Sequence, residues 1–405
     1  MRILIYGGTF NPPHAGHIRS VKTAAKMLEP DKILLVPAAI PPHKQIAEGS
    51  PSPEDRLRMT ELAAGEIPGA SVSDLELRRE GKSYTSDTLR ALRETYPGAE
   101  LVFLVGTDML LTLPDWHEPE VICSLASIAV FSRERGRQAD IKAGAARLRK
   151  EFGATVYVIS GKPVEISSTE LRAMVRERRG VDLIPGKTYA YIIRKRLYGA
   201  KPDFTWLREK AYAYLKPARV THVQGVEEEA VRLAERWGAS TEEAAEAAIC
   251  HDITKALSRE EQLRLCDKYA IMTDEYERVS EKLLHAKTGA AFAVDLFGLS
   301  TDAAVAIRFH TTGRPGMSLL EMITYLADYI EPGRYGFDGL EELRRACYED
   351  LDQAMELGMR MSLYEVRGKG YPAHTNTVEG QRWYLNNLRR KGLEPIHAHG
   401  IPDTI

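Results

Sequence analysis

What most constrains this chain is a change of texture near residue 200. Up to about residue 198, short apolar runs alternate with amphipathic helical stretches. Ile3–Tyr6, Ile33–Val36, Leu101–Val105, Ile128–Phe131 and Thr155–Ile159 have the length and β-branched content of buried strands. Helical stretches fall between them, near residues 17–28, 53–65, 86–95 and 138–152. Ser52-Pro53-Glu54 opens one of these with a cap and a proline at the first helical position. Such alternation predicts an α/β unit built on a parallel sheet with right-handed crossovers. Ligands then belong at the carboxyl ends of its strands. After Tyr198-Gly199-Ala200-Lys201-Pro202 the strand runs stop. Alanine-rich amphipathic helices follow, over Val226–Trp237, Thr241–Ile249, Arg259–Tyr269, Thr288–Leu296, Leu319–Ile330 and Leu340–Gly358. An all-α second half is expected. At roughly 150 residues per domain, 405 residues allow two or three domains. The change of texture places a boundary between 198 and 205 with little linker, dividing residues 1–200 from 201–405.

Charge divides along the same line. Residues 1–200 carry 29 Lys and Arg against 24 Asp and Glu, and residues 201–405 carry 26 against 33, for an overall balance of −2. No global positive field is present to gather nucleic acid or an anionic membrane. A mildly basic half suits nucleotide phosphates, and an acidic half has carboxylates to offer metals. The opening run MRILIYGG is too short for a signal-peptide core, and no run approaches the roughly 18 apolar residues of a membrane span. Cys123, Cys250, Cys266 and Cys347 are scattered without a CxxC pair, so neither a disulfide framework nor a zinc ribbon is indicated. A cytoplasmic, reduced, soluble protein is expected, with no nucleic-acid or membrane partner. A homo-oligomer is compatible with the sequence.

The first chemical constellation directly follows the first strand. In Gly7-Gly8-Thr9-Phe10-Asn11-Pro12-Pro13-His14-Ala15-Gly16-His17, glycines let the backbone approach a phosphate, and the helix that begins there presents free N–H groups. Neither GxxxxGK[ST] nor GxGxxG is present. A glycine turn alone is only a tight strand-to-helix connection. Two of the chain's eleven histidines in that one turn are hard to explain as packing. A second element, Ile166-Ser167-Ser168-Thr169-Glu170-Leu171-Arg172, reads equally as a capping box from Ser167 to Glu170 and as a phosphate-facing helix start. Both readings can hold at once.

Together these elements resemble the nucleotidylyltransferase superfamily, whose (H/T)xGH motif corresponds to His14-Ala15-Gly16-His17 and whose ISSTxxR motif corresponds to residues 166–172. Four further stretches narrow the resemblance to bacterial nicotinate-nucleotide adenylyltransferases of the NadD type. They are Pro41-Pro42-His43-Lys44, the run from Gly81 to Leu89, Gly106-Thr107-Asp108 and Leu113-Pro114-Asp115-Trp116. The resemblance implies a Rossmann-like fold over residues 1 to about 198 and transfer of AMP from ATP to nicotinate mononucleotide. It implies that Gly7, Gly8, Thr9, Phe10, His14 and His17 meet ATP, with His14 and His17 stabilising the transition state. Ser168, Thr169 and Arg172 would hold the outer phosphates with Mg²⁺, while Gly106 and Asp108 lie along the adenosine. Trp116 would stack on the pyridine ring beside Tyr84. Backbone amides near Thr85 and His117 would receive the nicotinate carboxylate, and Lys44 the mononucleotide phosphate. The rival is another adenylyl- or cytidylyltransferase, such as the pantetheine-phosphate type, against which the SYTSDTL and LPDW stretches argue.

The second constellation lies in the helical half: His222, His251-Asp252, His285, His310 and Asp328, each on or beside an apolar helical run. Imidazoles mixed with carboxylates suit first-row transition metals, and a shared carboxylate can bridge two of them. Any one of these histidines is more often a satisfied core or surface residue. The ordered set is not. The order H…HD…H…H…D resembles the HD-domain superfamily. The phrases around His251, His285, His310 and Asp328 are similar to those of YqeK-type HD hydrolases, which cleave diadenosine tetraphosphate to two ADP. The resemblance implies two transition-metal ions, typically iron. His222, His251, Asp252 and Asp328 would hold one, and His285 and His310 the other, with Asp252 bridging. Lys255 and Arg334 would touch phosphates of a dinucleoside polyphosphate. His374, His397 and His399 fit no ligand slot and are expected at the surface. The alternatives are a regulatory nucleotide-binding HD module or a phosphohydrolase for another nucleotide.

Overall fold

Six strands form a single parallel sheet in the computed structural model, which describes residues 1–41, 48–131, 136–161 and 166–403. They are β1 (Arg2–Gly8), β2 (Lys32–Pro37), β3 (Ala70–Val72), β4 (Glu100–Gly106), β5 (Ser127–Phe131) and β6 (Val156–Ile159), in the order β3-β2-β1-β4-β5-β6. Helices cover both faces, which explains why the strands read as unbroken apolar runs. Ile3 and Ile5 of β1 pack with Leu101, Phe103 and Val105 of β4 on one face. Leu4 and Tyr6 pack with Val102 and Leu104 on the other. The strand order reverses between β1 and β4, paired in the register Ile3 to Leu101. In a doubly wound sheet that reversal opens a crevice at the carboxyl ends, here at Gly8 and Gly106. An α/β Rossmann-like unit is therefore present.

Five of the six strands fall on the apolar runs. The edge strand β3 does not, because Ala70-Ser71-Val72 is three residues long and not fully buried. The chain stays bonded to this unit past the last helix of the sheet. Lys201 N–H donates to the Val175 carbonyl at 3.0 Å, and Asp203 N–H to the Tyr189 hydroxyl at 2.8 Å. Two compact units result, Met1–Asp203 and Phe204–Ile405.

The second unit is largely helical. Two helices begin earlier than their apolar periodicity suggests: Pro217–Trp237 rather than Val226, and Glu281–Phe297 rather than Thr288. The extensions carry His222 and His285. The expected helix Leu340–Gly358 is two, Leu340–Glu349 and Leu351–Gly368. Asp350 breaks it in an extended conformation, and its carboxylate accepts Gln353 N–H at 2.9 Å, capping the second helix. No helix among the described residues is long and apolar enough to cross a membrane.

Candidate active sites

The crevice of the first unit holds a cavity of about 840 Å³ lined by residues from β1, β4 and several helix starts. Phe10, at the turn after β1, takes a left-handed conformation (φ 47°), which costs about 1 kcal/mol or more and persists only where packing enforces it. Its ring lies edge-on to both Tyr6 and His17, at 5.8 and 5.3 Å. His14 is the extended residue before the helix Ala15–Leu28, and its N–H donates to His17 Nδ1 at 3.2 Å. A ring nitrogen that accepts leaves the hydrogen on the other, so His17 offers Nε2–H as a donor. The two rings lie 3.7 Å apart, tilted by 31°, and are 1% and 8% exposed.

The helix Ser168–Arg176 begins on the same cavity. Ser167 and Glu170 make the reciprocal capping box, with Ser167 Oγ accepting Glu170 N–H at 3.1 Å and Glu170 Oε2 accepting Ser167 N–H at 2.9 Å. Arg172 donates to the Asn11 carbonyl at 2.9 Å and to Thr169 Oγ1 at 3.0 Å, and Ser168 Oγ reaches the Pro12 carbonyl at 3.3 Å. Capping and phosphate-facing placement coexist. Across the cavity, Gly106 caps the helix Thr107–Thr112, and Asp108 pairs with Arg137 at 3.3 Å. Tyr84 caps the helix Thr85–Thr95, so the Thr85 amide is one of that helix's unbonded N-terminal donors. Half-buried Trp116 sits edge-on to Phe103 and donates Nε1–H to Thr112 Oγ1 at 3.3 Å, while the His117 ring faces Tyr84 at 4.3 Å. Gly7, Gly8, Thr9, Phe10, Gly106, Asp108, Trp116 and His117 all line this one space. Lys44, with Pro42 and His43, lies outside the described residues.

Several contributors escaped sequence reasoning. Arg137 lines the cavity. Arg56, 0% exposed, donates to the carbonyls of Ala38 (2.5 Å), Thr9 (3.1 Å) and Ala39 (3.0 Å), tying the turn after β1 to the end of β2. A charged residue on a helix offers no signal that it folds inward. Arg56→Met is expected to strand three carbonyls, lowering the first unit's stability by about 3 kcal/mol, read as a drop in its thermal midpoint.

In the second unit, five helices converge on a buried cluster. His222 comes from Pro217–Trp237, His251 ends Thr241–Cys250, and His285 comes from Glu281–Phe297. His310 ends Thr301–Phe309, and Asp328 comes from Leu319–Ile330. Ligand atoms of His222, His251 and Asp328 lie within 4.8 Å of one another, as do those of His251, Asp252 and His310. Asp252 is the hinge between them. Its Oδ2 lies 3.3 Å from His251 Nε2, and its Oδ1 lies 3.2 Å from His285 Nε2 and 3.8 Å from His310 Nε2. A bridging carboxylate needs that disposition.

Tautomers and charges in the cluster fit a metal. Nδ1 of His251 and of His310 each sit 2.7 Å from a backbone carbonyl, Ala248 and Ile307, which can only accept. Both rings therefore carry hydrogen on Nδ1 and turn Nε2 inward, the nitrogen left to bind a metal. His285 and His310 aim their Nε2 atoms at each other at 3.0 Å. Buried His222 Nε2, His251 Nε2 and Asp252 Oδ1 make no well-aligned hydrogen bond in the protein. Burial pushes the His285 and His310 imidazoles down, His310 further because His285 and His251 adjoin it. Burial opposes the charge of Asp252 and of Asp328. Neighbouring histidines and Lys255 outweigh it and hold both well below the usual carboxylate range. The His251 imidazole is raised: burial opposes its charge, and the Asp252 contact prevails.

The cations around the cluster were only partly foreseen. Lys255 lies 3.1 Å from Asp252 Oδ1 and Arg334 2.8 Å from Asp328 Oδ1, each on a carboxylate of the cluster. Arg219, not foreseen, donates to Asp252 Oδ2 at 2.6 Å. His374 is a correction. It is 6% exposed rather than on the surface, and its Nε2 lies 2.9 Å from Asp274 Oδ2 beside buried Glu277. Its Nδ1 accepts Asn376 N–H at 3.1 Å, so Nε2 bears the hydrogen. That tautomer is the reverse of a metal ligand, and the group is a structural tie. His397 and His399 are exposed.

Residues 5–174 match the cytidylyltransferase-like family model, and residues 219–333 match the HD-domain model. The chain is 38% identical over 213 residues to a "probable nicotinate-nucleotide adenylyltransferase" of Geobacter metallireducens, covering 49% of this chain and 98% of that one. It is 39% identical over 199 residues to a protein of the same name from Gloeobacter violaceus, covering 49% and 96%. A solved structure from Clostridium acetobutylicum, described as a predicted HD superfamily hydrolase involved in NAD metabolism, is 36% identical. It covers 46% of this chain and 100% of its own, with a TM-score of 0.45.

Proposed function

The chain belongs, through its first half, to the nicotinate-nucleotide adenylyltransferase family, and on that premise we propose a bifunctional enzyme. Residues 1–200 transfer AMP from ATP to nicotinate mononucleotide, and residues 201–405 form a metal-dependent HD phosphohydrolase that splits diadenosine tetraphosphate. What supports the first assignment is one cavity shared by the His14–His17 helix start and the Ser168–Arg172 helix start. In the transfer, a 5′-phosphate oxygen of nicotinate mononucleotide bonds to the α-phosphorus of ATP, and the bond to pyrophosphate breaks. No protein nucleophile is needed, so catalysis rests on position and charge. His17 Nε2–H and the first amides of Ala15–Leu28 stabilise charge on the transferring phosphate, while Ser168, Thr169 and Arg172 hold the leaving pyrophosphate. Mg²⁺ accompanying ATP would neutralise part of that charge. Trp116 offers a face to the pyridine ring, and the N-terminal amides at Thr85 pair with the nicotinate carboxylate.

In the second unit His222, His251, Asp252 and Asp328 would hold one divalent metal, and His285 and His310 the other, with Asp252 shared between them. Iron is the identity the YqeK-type resemblance favours. Two metals held there would supply an activated water and neutralise phosphate charge. Water adds to one of the two central phosphorus atoms, the central P–O–P bond breaks, and two ADP leave. Lys255 and Arg334, both partly exposed, are assigned to the outer phosphates. A cytoplasmic setting suits all of these substrates.

The test uses the whole chain. Pyrophosphate release from ATP should be faster with nicotinate mononucleotide than with nicotinamide mononucleotide by at least about 10²-fold, because the carboxamide forfeits a charge-assisted pair. Equal rates would refute the substrate assignment. Elemental analysis should find about two transition-metal equivalents per chain. Full hydrolysis by a metal-free chain would refute the second assignment.

A further inference from the structure

The four histidines of the metal cluster are not backed alike. His251 and His310 donate Nδ1–H to neutral backbone carbonyls, and His285 Nδ1 makes no hydrogen bond. His222 alone is backed by a carboxylate, with its Nδ1 3.1 Å from Glu331 Oε1. Glu331 is 3% exposed and lies just past the helix that carries Asp328. Its other oxygen accepts Gly333 N–H at 2.5 Å. The surrounding loop is fixed from outside by Arg344, which donates to the carbonyls of Ile330 (3.2 Å), Glu331 (3.1 Å) and Arg334 (2.9 Å).

Space for this carboxylate is made by a glycine in the wrong place for a helix. Gly225 lies in the interior of the 21-residue helix Pro217–Trp237, one turn beyond His222 and on its face. Glycine there costs about 0.5–1 kcal/mol relative to alanine. A Cβ at Gly225 would fall 2.5 Å from Glu331 Oε2 and 3.5 Å from Glu331 Cβ, and the carboxylate is the movable partner. Any side chain at 225 displaces Glu331 from His222.

Resting on the two-metal reading above, we propose that Glu331 is a positioning residue that strengthens His222 as a ligand. The His222–His251–Asp328 position is thereby the tighter of two unequal metal sites, filled first, and Gly225 keeps room for that carboxylate. A carboxylate accepting from the far ring nitrogen fixes the ring and makes its inward nitrogen more basic. Losing such a partner typically weakens metal affinity by about 10- to 100-fold.

The test is a calorimetric titration of the metal-stripped full chain with Mn²⁺ alone. Two classes of site are expected in the unaltered protein. Glu331→Ala should weaken the tighter class by about 10- to 100-fold and leave the weaker one in place. Glu331→Gln, which keeps an acceptor oxygen but not the charge, should recover part of the loss. Gly225→Ala should reproduce the loss without lowering the thermal midpoint, because alanine favours the helix. The double variant Gly225→Ala/Glu331→Ala should bind no more weakly than Glu331→Ala alone. Unchanged affinities in Gly225→Ala and Glu331→Ala would overturn the proposal while leaving the two-metal reading intact. Fewer than two Mn²⁺ bound by the unaltered chain would overturn both.

Discussion

His17→Ala is expected to lower adenylyl transfer by about 10²- to 10³-fold in kcat, the usual cost of deleting one preorganised donor aimed at transition-state charge. Hydrolysis in the second unit should not change. The magnitude follows from how the ring is held. His14 N–H at 3.2 Å fixes the Nε2–H tautomer, and Phe10 and Tyr6 set the ring plane. A donor so held need not reorganise when charge develops. Alanine also removes the residue that accepts the His14 amide at the helix start, so some stability is lost with the activity. His17→Glu separates the two effects, since glutamate at that position accepts the same amide and has no hydrogen to donate. It should keep the thermal midpoint and still fall in kcat. Full kcat in the glutamate variant would show that His17 acts only as a cap.

Much of this was legible in the sequence, for reasons that differ between the units. The sheet could be read because its strands are buried on both faces, so Ile3–Tyr6 and Leu101–Val105 appear as continuous apolar runs. Ala70–Val72 pairs along only one edge and leaves no such trace. The residues of both sites were legible where a residue type is rare or oddly placed, as with His14, His17 and the ordered histidines around Asp252. What stayed hidden was support supplied by common residues turned inward. Arg56 beneath the turn after β1, Arg219 on Asp252 and Glu331 behind His222 resemble surface charges until the fold is known. The reverse error occurred at His374, read as surface although a tie to Asp274 buries it. Helix starts were the least visible elements. The extensions at Pro217 and Glu281 weaken the apolar period because they begin with exposed residues and place His222 and His285 where apolar side chains would otherwise recur.

Asp252→Ala is expected to abolish hydrolysis, by about 10³-fold or more, and to reduce bound metal from about two equivalents to at most one. Adenylyl transfer should be unaffected. Asp252 is 0% exposed, and its two oxygens face different histidines, His251 from Oδ2 and His285 with His310 from Oδ1. Removing it therefore weakens both halves of the cluster at once, whereas removing His222, His285 or His310 weakens a single position. The substitution also leaves Arg219 and Lys255 without the anion they share. Asp252→Asn is the necessary companion, because it keeps the volume while discarding the charge. If the carboxylate is needed to bridge metals, asparagine should lose nearly as much activity and metal as alanine while melting closer to the unaltered protein. If it serves only to neutralise Arg219 and Lys255, both variants should still bind two metals. Measured beside His17→Ala, the substitution also shows whether the units act as separate catalysts. Each variant should silence one reaction and spare the other, and loss of both reactions from either change would mean that the two sites are coupled.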